Sequence, residues 1–206
     1  MSEHQIEYKE YLKKAKSYLD TISPSVCFAK WKQVTLHLHN GHNHSCHHPR
    51  THKSPLEEVE IDCSALHNTK FKKAQRQLMM EGGRPSECEY CWRVEDADKS
   101  QLSDRHYKSS EWWAEPYYDE TINNTTDVVT PRYVEVNFNS VCNLKCSYCS
   151  PQFSSSWQAE MERYGAYPTS HPHNAPEHFT GDRKLIANRD DNPYVTAFWR
   201  WWPDLY

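Results

Sequence analysis

Cys142, Cys146 and Cys149 fall within one short stretch, "VCNLKCSYC", with the spacing C-x3-C-x2-C. Thiols this dense either close disulfides or hold a metal, and three is odd for disulfides and one short of a closed tetrahedral site. Three thiolates can bind three irons of a cubane [4Fe–4S] cluster and leave the fourth iron with an open position. That open position distinguishes a reactive centre from a structural one. A zinc ion completed by a distant histidine is the plainer alternative, and 13 histidines are available. Zinc knuckles, however, answer one C-x2-C pair with another, whereas here three ligands share a single loop. Of the other five cysteines, Cys27 and Cys46 flank a hairpin signal, and Cys88 and Cys91 form a C-x2-C pair. Those four are enough to close a second tetrahedral or cubane site. Cys63 fits neither set and reads as a buried or free thiol.

The elements that must carry these residues follow from periodicity. Residues 3–20 predict an amphipathic helix, with Tyr8, Tyr11, Leu12, Ala15, Tyr18 and Leu19 on one stripe and a capping box from Ser2 and Gln5. In "QVTLHLHNGHNHSCHH", Val34, Leu36 and Leu38 alternate with polar residues, and Asn40-Gly41 predicts a two-residue hairpin turn. A helix is expected from about Asn68, with Phe71, Ala74 and Leu78 on one stripe, ended by Gly82-Gly83 and Pro85. Its basic run "KFKKAQR" reads as a solvated face, and Cys88 and Cys91 follow on a loop. Residues 99–130 read as a short helix (100–108) plus a linker. "RYVEVNFNS" alternates as a strand, the cysteine triplet sits in the loop after it, and "SSSWQAEMERYG" reads as a helix. This strand–loop–helix unit puts the triplet at the C-terminal end of a strand, where parallel α/β folds place active sites. Residues 165–192 look like an irregular insertion, and "YVTAFWRWWPDLY" like a final helix. The histidine cluster (His37, His39, His42, His44, His47, His48, His52) reads as outward-facing side chains of the hairpin.

Composition limits the function. The 206 residues suggest one large domain or two small ones, and 37% hydrophobic content with a formal charge of −4 suggests a modest core that metal-driven folding would supplement. No apolar run approaches the ~20 residues that cross a bilayer. The N-terminus lacks a signal-type apolar stretch, so the expected compartment is the cytoplasm, where cysteines serve as metal ligands or reactive thiols. Scattered lysines give no nucleic-acid footprint.

"CNLKCSYC" after a strand resembles the signature of radical S-adenosylmethionine (radical SAM) enzymes, including the aromatic residue, Tyr148, just before the third cysteine. The resemblance implies that Cys142, Cys146 and Cys149 hold a [4Fe–4S] cluster, that S-adenosylmethionine chelates its open iron, and that Tyr148 lies near the adenine. It further implies reductive cleavage of the sulfonium to a 5'-deoxyadenosyl radical that abstracts hydrogen from substrate. An electron donor such as a flavodoxin or ferredoxin would be a partner, with a peptide or protein as substrate and neither nucleic acid nor membrane involved. The stretch "CFAKW…HNGHNHSC…FKKAQRQLMMEGGRPSECEYC" resembles the twitch domain, the shorter relative of the SPASM domain. On that resemblance Cys27, Cys46, Cys88 and Cys91 ligate an auxiliary [4Fe–4S] cluster. The implied organisation is an α/β chain: an N-terminal helix (1–22), a twitch-like α+β domain (23–98), a linker (99–130), and the opening of a partial (β/α)6 barrel (131–206). Two departures stand beside it. The twitch-like part precedes the catalytic part instead of following it, and the glycine-rich segment expected on a second barrel strand is absent. The expectation is therefore an N-terminal portion of a longer enzyme, whose strand at 133–138 needs neighbouring strands that this chain does not contain. A zinc-binding structural or interaction module is the alternative. A ferredoxin-like carrier would need a fourth cysteine near the triplet.

Overall fold

A computed structural model describes residues 3–124, 128–165 and 191–206. Apolar residues at three- and four-residue spacing form helix α1 (Glu3–Ile22), which buries Leu12, Ala15 and Leu19, while Tyr8 and Tyr18 at the margins of the stripe stay exposed. Ser2, the expected cap, lies outside the described residues. A single turn, α2 (Ala29–Lys32), runs directly into strand β1 (Gln33–His37). The chain reverses at Asn40-Gly41 into β2 (His42–His44), and β3 (His52–Lys53) adds an outer strand. Then come α3 (Leu56–Ile61), α4 (Lys70–Met80), α5 (Glu89–Ala97), α6 (Asp104–Ser109) and α7 (Tyr118–Ile122). Strand β4 (Tyr133–Asn137), α8 (Ser155–Tyr164) and α9 (Pro193–Leu205) complete the order.

The fold is α/β, with helices around a small mixed sheet of order β3-β2-β1-β4. β1 pairs antiparallel with β2, and parallel with β4 in the register Gln33↔Tyr133 to His37↔Asn137. The strand expected to lack a partner in this chain therefore has one: the hairpin supplies it. The C-terminal ends of β1 and β4 meet at one edge of the sheet, and the cysteine triplet follows β4 there.

Two cores hold the layers. One gathers Leu19, Phe28, Trp31, Met79, Trp92, Trp113 and Tyr118 among the N-terminal helices. The other packs the apolar face of β1, Val34 and Leu36 with Leu38, against Leu66 and the Tyr194, Phe198 and Trp201 stripe of α9. Burying each such side chain contributes about 2–3 kcal/mol. The short helix expected at 100–108 forms as α6, and the stretch after it, expected to be a linker, supplies Trp113, Ala114 and Tyr118 to the first core and folds in part as α7. The basic run of α4 is solvated only in part, and the expected stripe of Phe71, Ala74 and Leu78 is the exposed side. Lys72 and Arg76 are buried, Lys72 Nζ 2.8 Å from His67 Nδ1, and Arg76 donating to Asn68 Oδ1 (2.7 Å) and the Lys30 carbonyl (2.9 Å). α4 thus uses its cations to tie the 67–68 corner to α2. The expected insertion at 165–192 lies almost wholly outside the described residues.

The hairpin histidines also depart from expectation: His37, His39 and His42 are buried. Alternation sends Val34 and Leu36 into the second core, but the opposite face is covered too, with the Phe153 ring 5.9 Å from that of His37. Burial pushes the imidazoles of His37, His39 and His52 down to about 3, about 4 and about 2. Such groups stay neutral in the folded chain while the unfolded chain takes up protons near the ordinary value of about 6.5. Their contribution is present above that pH and is lost as the pH falls from about 6.5 towards 4. Between pH 7.5 and 5.5, urea unfolding should show a loss of about 1 kcal/mol for each of the three histidines. A stability that stays flat over this window would mean the imidazoles are solvated in the folded state.

Candidate metal centres

Cys27, Cys46, Cys88 and Cys91 come from four different places in the chain and line one cavity. Its volume is about 340 Å³ counting its open mouth, and His48, Met79, Trp92, Asp104, Arg105 and Lys108 share its wall. Cys27 precedes α2, Cys46 follows β2, Cys88 ends a 3-10 turn, and Cys91 lies in the first turns of α5. The expected loop for the C-x2-C pair is therefore a turn running into a helix, started by Pro85, whose carbonyl accepts from the Cys88 N–H (3.1 Å) and from Trp92 Nε1 (2.8 Å).

The anchor of this arrangement is Arg105, at the start of α6. Its guanidinium donates to both Glu95 carboxylate oxygens (2.9 and 3.1 Å), to Asp20 Oδ1 (3.0 Å) and to the carbonyl of Val26 (3.1 Å), next to Cys27. One buried side chain thus fixes α1, α5 and the Cys27 segment together. The Cys46 segment is held by His48, whose Nε2 is 2.7 Å from Asp104 Oδ2 and whose ring stacks on Tyr90 at 3.6 Å. Nothing periodic marks Arg105 or Asp104 in the sequence, and sequence reasoning missed both, while it took His48 only as an outward-facing member of the histidine cluster.

The electrostatics fit thiols that await a partner. Burial, reinforced by Cys46, Cys88 and Cys91 nearby, pushes the Cys27 thiol up to about 12, and burial pushes Cys91 up to about 11. Burial also raises Cys46 and Cys88. Four such groups in one cavity form thiolates only if a cation compensates them. Lys30 is close by and paired with Glu87; burial alone would lower its ammonium, but Cys88 and Glu87 hold it up. The four thiols are not drawn together as they would be around a single ion. Four thiolates on tetrahedral zinc stand about 3.8 Å apart, whereas a cubane separates its ligand sulfurs by about 6 Å. Among the described residues the group whose ligand atoms all lie within 4.8 Å is instead Cys46, His47 and Asp104. The four-thiol cavity is therefore not closed around one ion, whereas at its Cys46 corner three ligand atoms come together.

Cys142, Cys146 and Cys149 sit on the loop between β4 and α8, each partly exposed. The first turn of α8 clamps this loop. Ser156 Oγ and Ser155 Oγ donate to the Cys142 carbonyl (2.7 and 3.2 Å), and Ser155 Oγ accepts from the Cys142 N–H (3.1 Å). Ser154 Oγ donates to the Leu144 carbonyl (2.9 Å), and Trp157 Nε1 donates to that of Cys146 (3.2 Å). The run Ser154–Trp157, read from sequence only as a helix start, is thus what holds the loop's shape. Lys145 pairs with Glu160 across it. Tyr148 is 91% exposed, and the neighbouring Cys146 raises its phenol above its ordinary value. Three thiols with outward-facing surface and a loop fixed from behind fit a cluster with one accessible corner. Cys63 is a free thiol packed against the second core.

Comparison of the chain with protein-family models, with curated proteins and with solved structures found no match. Among the described residues no helix is long and apolar enough to cross a membrane.

Proposed function

We propose that the chain is the cluster-binding portion of a radical SAM enzyme. In this reading Cys142, Cys146 and Cys149 hold a [4Fe–4S] cluster that binds S-adenosylmethionine, and Cys27, Cys46, Cys88 and Cys91 hold an auxiliary [4Fe–4S] cluster. The observation that carries the reading is the separation of seven thiols into two differently built sets, four around a cavity and three on a clamped loop at the end of a parallel strand. When bound, the three-thiolate cluster supplies an electron and an open iron for reductive cleavage of S-adenosylmethionine to a 5'-deoxyadenosyl radical. The chain's own contribution is positional. Ser154, Ser155, Ser156 and Trp157 hold the loop carbonyls, and the exposed Tyr148 ring offers a stacking face for the adenine. A flavodoxin- or ferredoxin-type donor, a peptidyl substrate and a cytoplasmic setting belong to the same proposal, as does the continuation of the strand–loop–helix unit into a (β/α)6 barrel.

The test is spectroscopic. In the anaerobically reconstituted, reduced protein, S-adenosylmethionine should change the electron paramagnetic resonance spectrum of one cluster and leave the other unaltered. A spectrum unmoved by saturating S-adenosylmethionine refutes the assignment of the triplet.

A second reading, a structural zinc module, is favoured by one observation: the convergence of Cys46, His47 and Asp104. Zinc in place of iron and sulfide after anaerobic purification would decide for it.

A further inference from the structure

At the Cys46 corner of the four-thiol cavity, ligand atoms of three kinds meet: a thiol, an imidazole and a carboxylate. His47 follows Cys46 directly, and Asp104 opens α6 across from it. His47 Nε2 lies 3.4 Å from Asp104 Oδ2, and His47 Nδ1 lies 3.9 Å from Cys46 Sγ. Around a tetrahedral ion with bonds of about 2.0–2.1 Å to nitrogen or oxygen and about 2.3 Å to sulfur, neighbouring ligand atoms stand about 3.3–3.6 Å apart. The two contacts use different ring nitrogens, and only one can serve as ligand. One nitrogen of His47 already lies within 4.8 Å of both partners, and the side chain is 61% exposed, so a small turn of the ring closes the shell.

The carboxylate is fixed from behind. His48 Nε2 lies 2.7 Å from Asp104 Oδ2, which accepts from it, and a carboxylate with several lone pairs can bind an ion as well. Ligating carboxylates are ordinarily oriented by such a hydrogen bond. The His48 ring stacks in turn on Tyr90, which lies between Cys88 and Cys91 in the chain. The corner is thus built on the same frame as the four thiols. Cys46 belongs to two donor sets: it can join Cys27, Cys88 and Cys91, or it can join His47 and Asp104. A terminal thiolate serves one metal, so the two sets compete for it.

We infer that Cys46, His47 and Asp104 form a site for one zinc ion, and that filling it excludes the auxiliary cluster. Mixed thiolate, imidazole and carboxylate ligation suits zinc, with water in the fourth position, and such a set holds zinc more tightly than iron(II). Binding releases the thiol proton to water. The exclusion rests on the assignment of Cys46 to the auxiliary cluster, whereas the ion site does not. Zinc is here a competitor for one cluster, not the structural core of the whole chain.

The full chain, reconstituted anaerobically with iron and sulfide in the presence of one equivalent of zinc sulfate, should retain about one zinc and take up about four irons instead of about eight. Its electron paramagnetic resonance response to S-adenosylmethionine should survive, because the triplet is untouched. X-ray absorption at the zinc edge should show one sulfur at about 2.3 Å, with nitrogen and oxygen at about 2.0–2.1 Å. His47→Ala and Asp104→Asn should each weaken zinc binding at least tenfold, and the exposed His47→Ala variant should take up about eight irons even with zinc present. Four results overturn the inference: no retained zinc, a shell of sulfur alone, undiminished zinc affinity in both variants, or about eight irons in the zinc-treated wild type. If zinc-free protein takes up no iron, the cluster reading fails by itself, and the zinc shell still decides the ion site.

Discussion

Cys146→Ala should remove about four irons per chain, the content of one cubane, and with them the whole response to S-adenosylmethionine. Cys88→Ala should lower iron by a similar amount and leave that response in place. The asymmetry follows from construction. Cys146 belongs to a loop held by the first turn of α8, whereas Cys88 borders a cavity tied together by Arg105 and lies against the first core. A lost thiolate should empty only the cluster it serves, because the two sets share no ligand and no anchoring hydrogen bond. Cys88→Ala should also lower thermal stability, since ligation in a small domain is coupled to folding and the Cys27, Cys88 and Cys91 segments all pack on one core. Cys63→Ala is the control and should change neither iron nor spectrum. Iron and sulfide analysis checks all three variants. An iron loss from Cys63→Ala with none from Cys46→Ala would show that the ligand sets have been drawn wrongly.

Gly41→Ala is expected to destabilise the protein by about 3–5 kcal/mol in urea unfolding. Gly41 has φ +72°, a conformation that costs a residue with a side chain about 1 kcal/mol. The larger part is steric. An added Cβ would fall within the ring of Tyr194, a fully buried residue whose hydroxyl donates to the Ser54 carbonyl at 3.0 Å. The ring would have to leave its seat beneath the turn, at a cost comparable to losing a buried aromatic. Gly165→Ala separates the two effects, because Gly165 has φ +86° with nothing within 4 Å of its added Cβ. With ψ 176° it sits in a backbone region that is almost exclusively glycine's, so the change should cost about 1–3 kcal/mol from strain alone. Equal losses in the two variants would rule out the Tyr194 contact as the cause.

The same position shows how much the sequence discloses. Asn40-Gly41 between alternating apolar residues marks a hairpin because the turn chemistry is local, and the hairpin forms there, although His37 pairs with His42 and the loop has four residues (38–41) instead of the expected two. The strand at 133–137 and the helix at 155–164 are legible for the same reason. The parallel partner of that strand is not, since register between segments 100 residues apart leaves no local trace. Nor is the burial of His37 and His39. Alternation says which side chains share a face of β1, and it cannot say that both faces are covered. For the candidate sites, cysteine spacing groups the thiols, and the fold brings Cys27, Cys46, Cys88 and Cys91 to one cavity. The groups that position them escape notice because each is a single polar residue in an aperiodic stretch. Arg105 shows its role only when Asp20, Val26 and Glu95 meet around it.

The parallel pairing of β1 with β4 sets a timetable for synthesis. Gln33 pairs with Tyr133, so β1 leaves the ribosome 100 residues before its neighbour exists. At about 5–20 residues per second the interval is roughly 5–20 s. Cys27 is translated before that interval, Cys46, Cys88 and Cys91 within it, and Cys142 only after it. The nascent chain can thus assemble its four-thiol cavity while one edge of β1 still stands open, a surface inviting strand addition from other chains. Slowing translation between codons 92 and 132 should lengthen that vulnerable period.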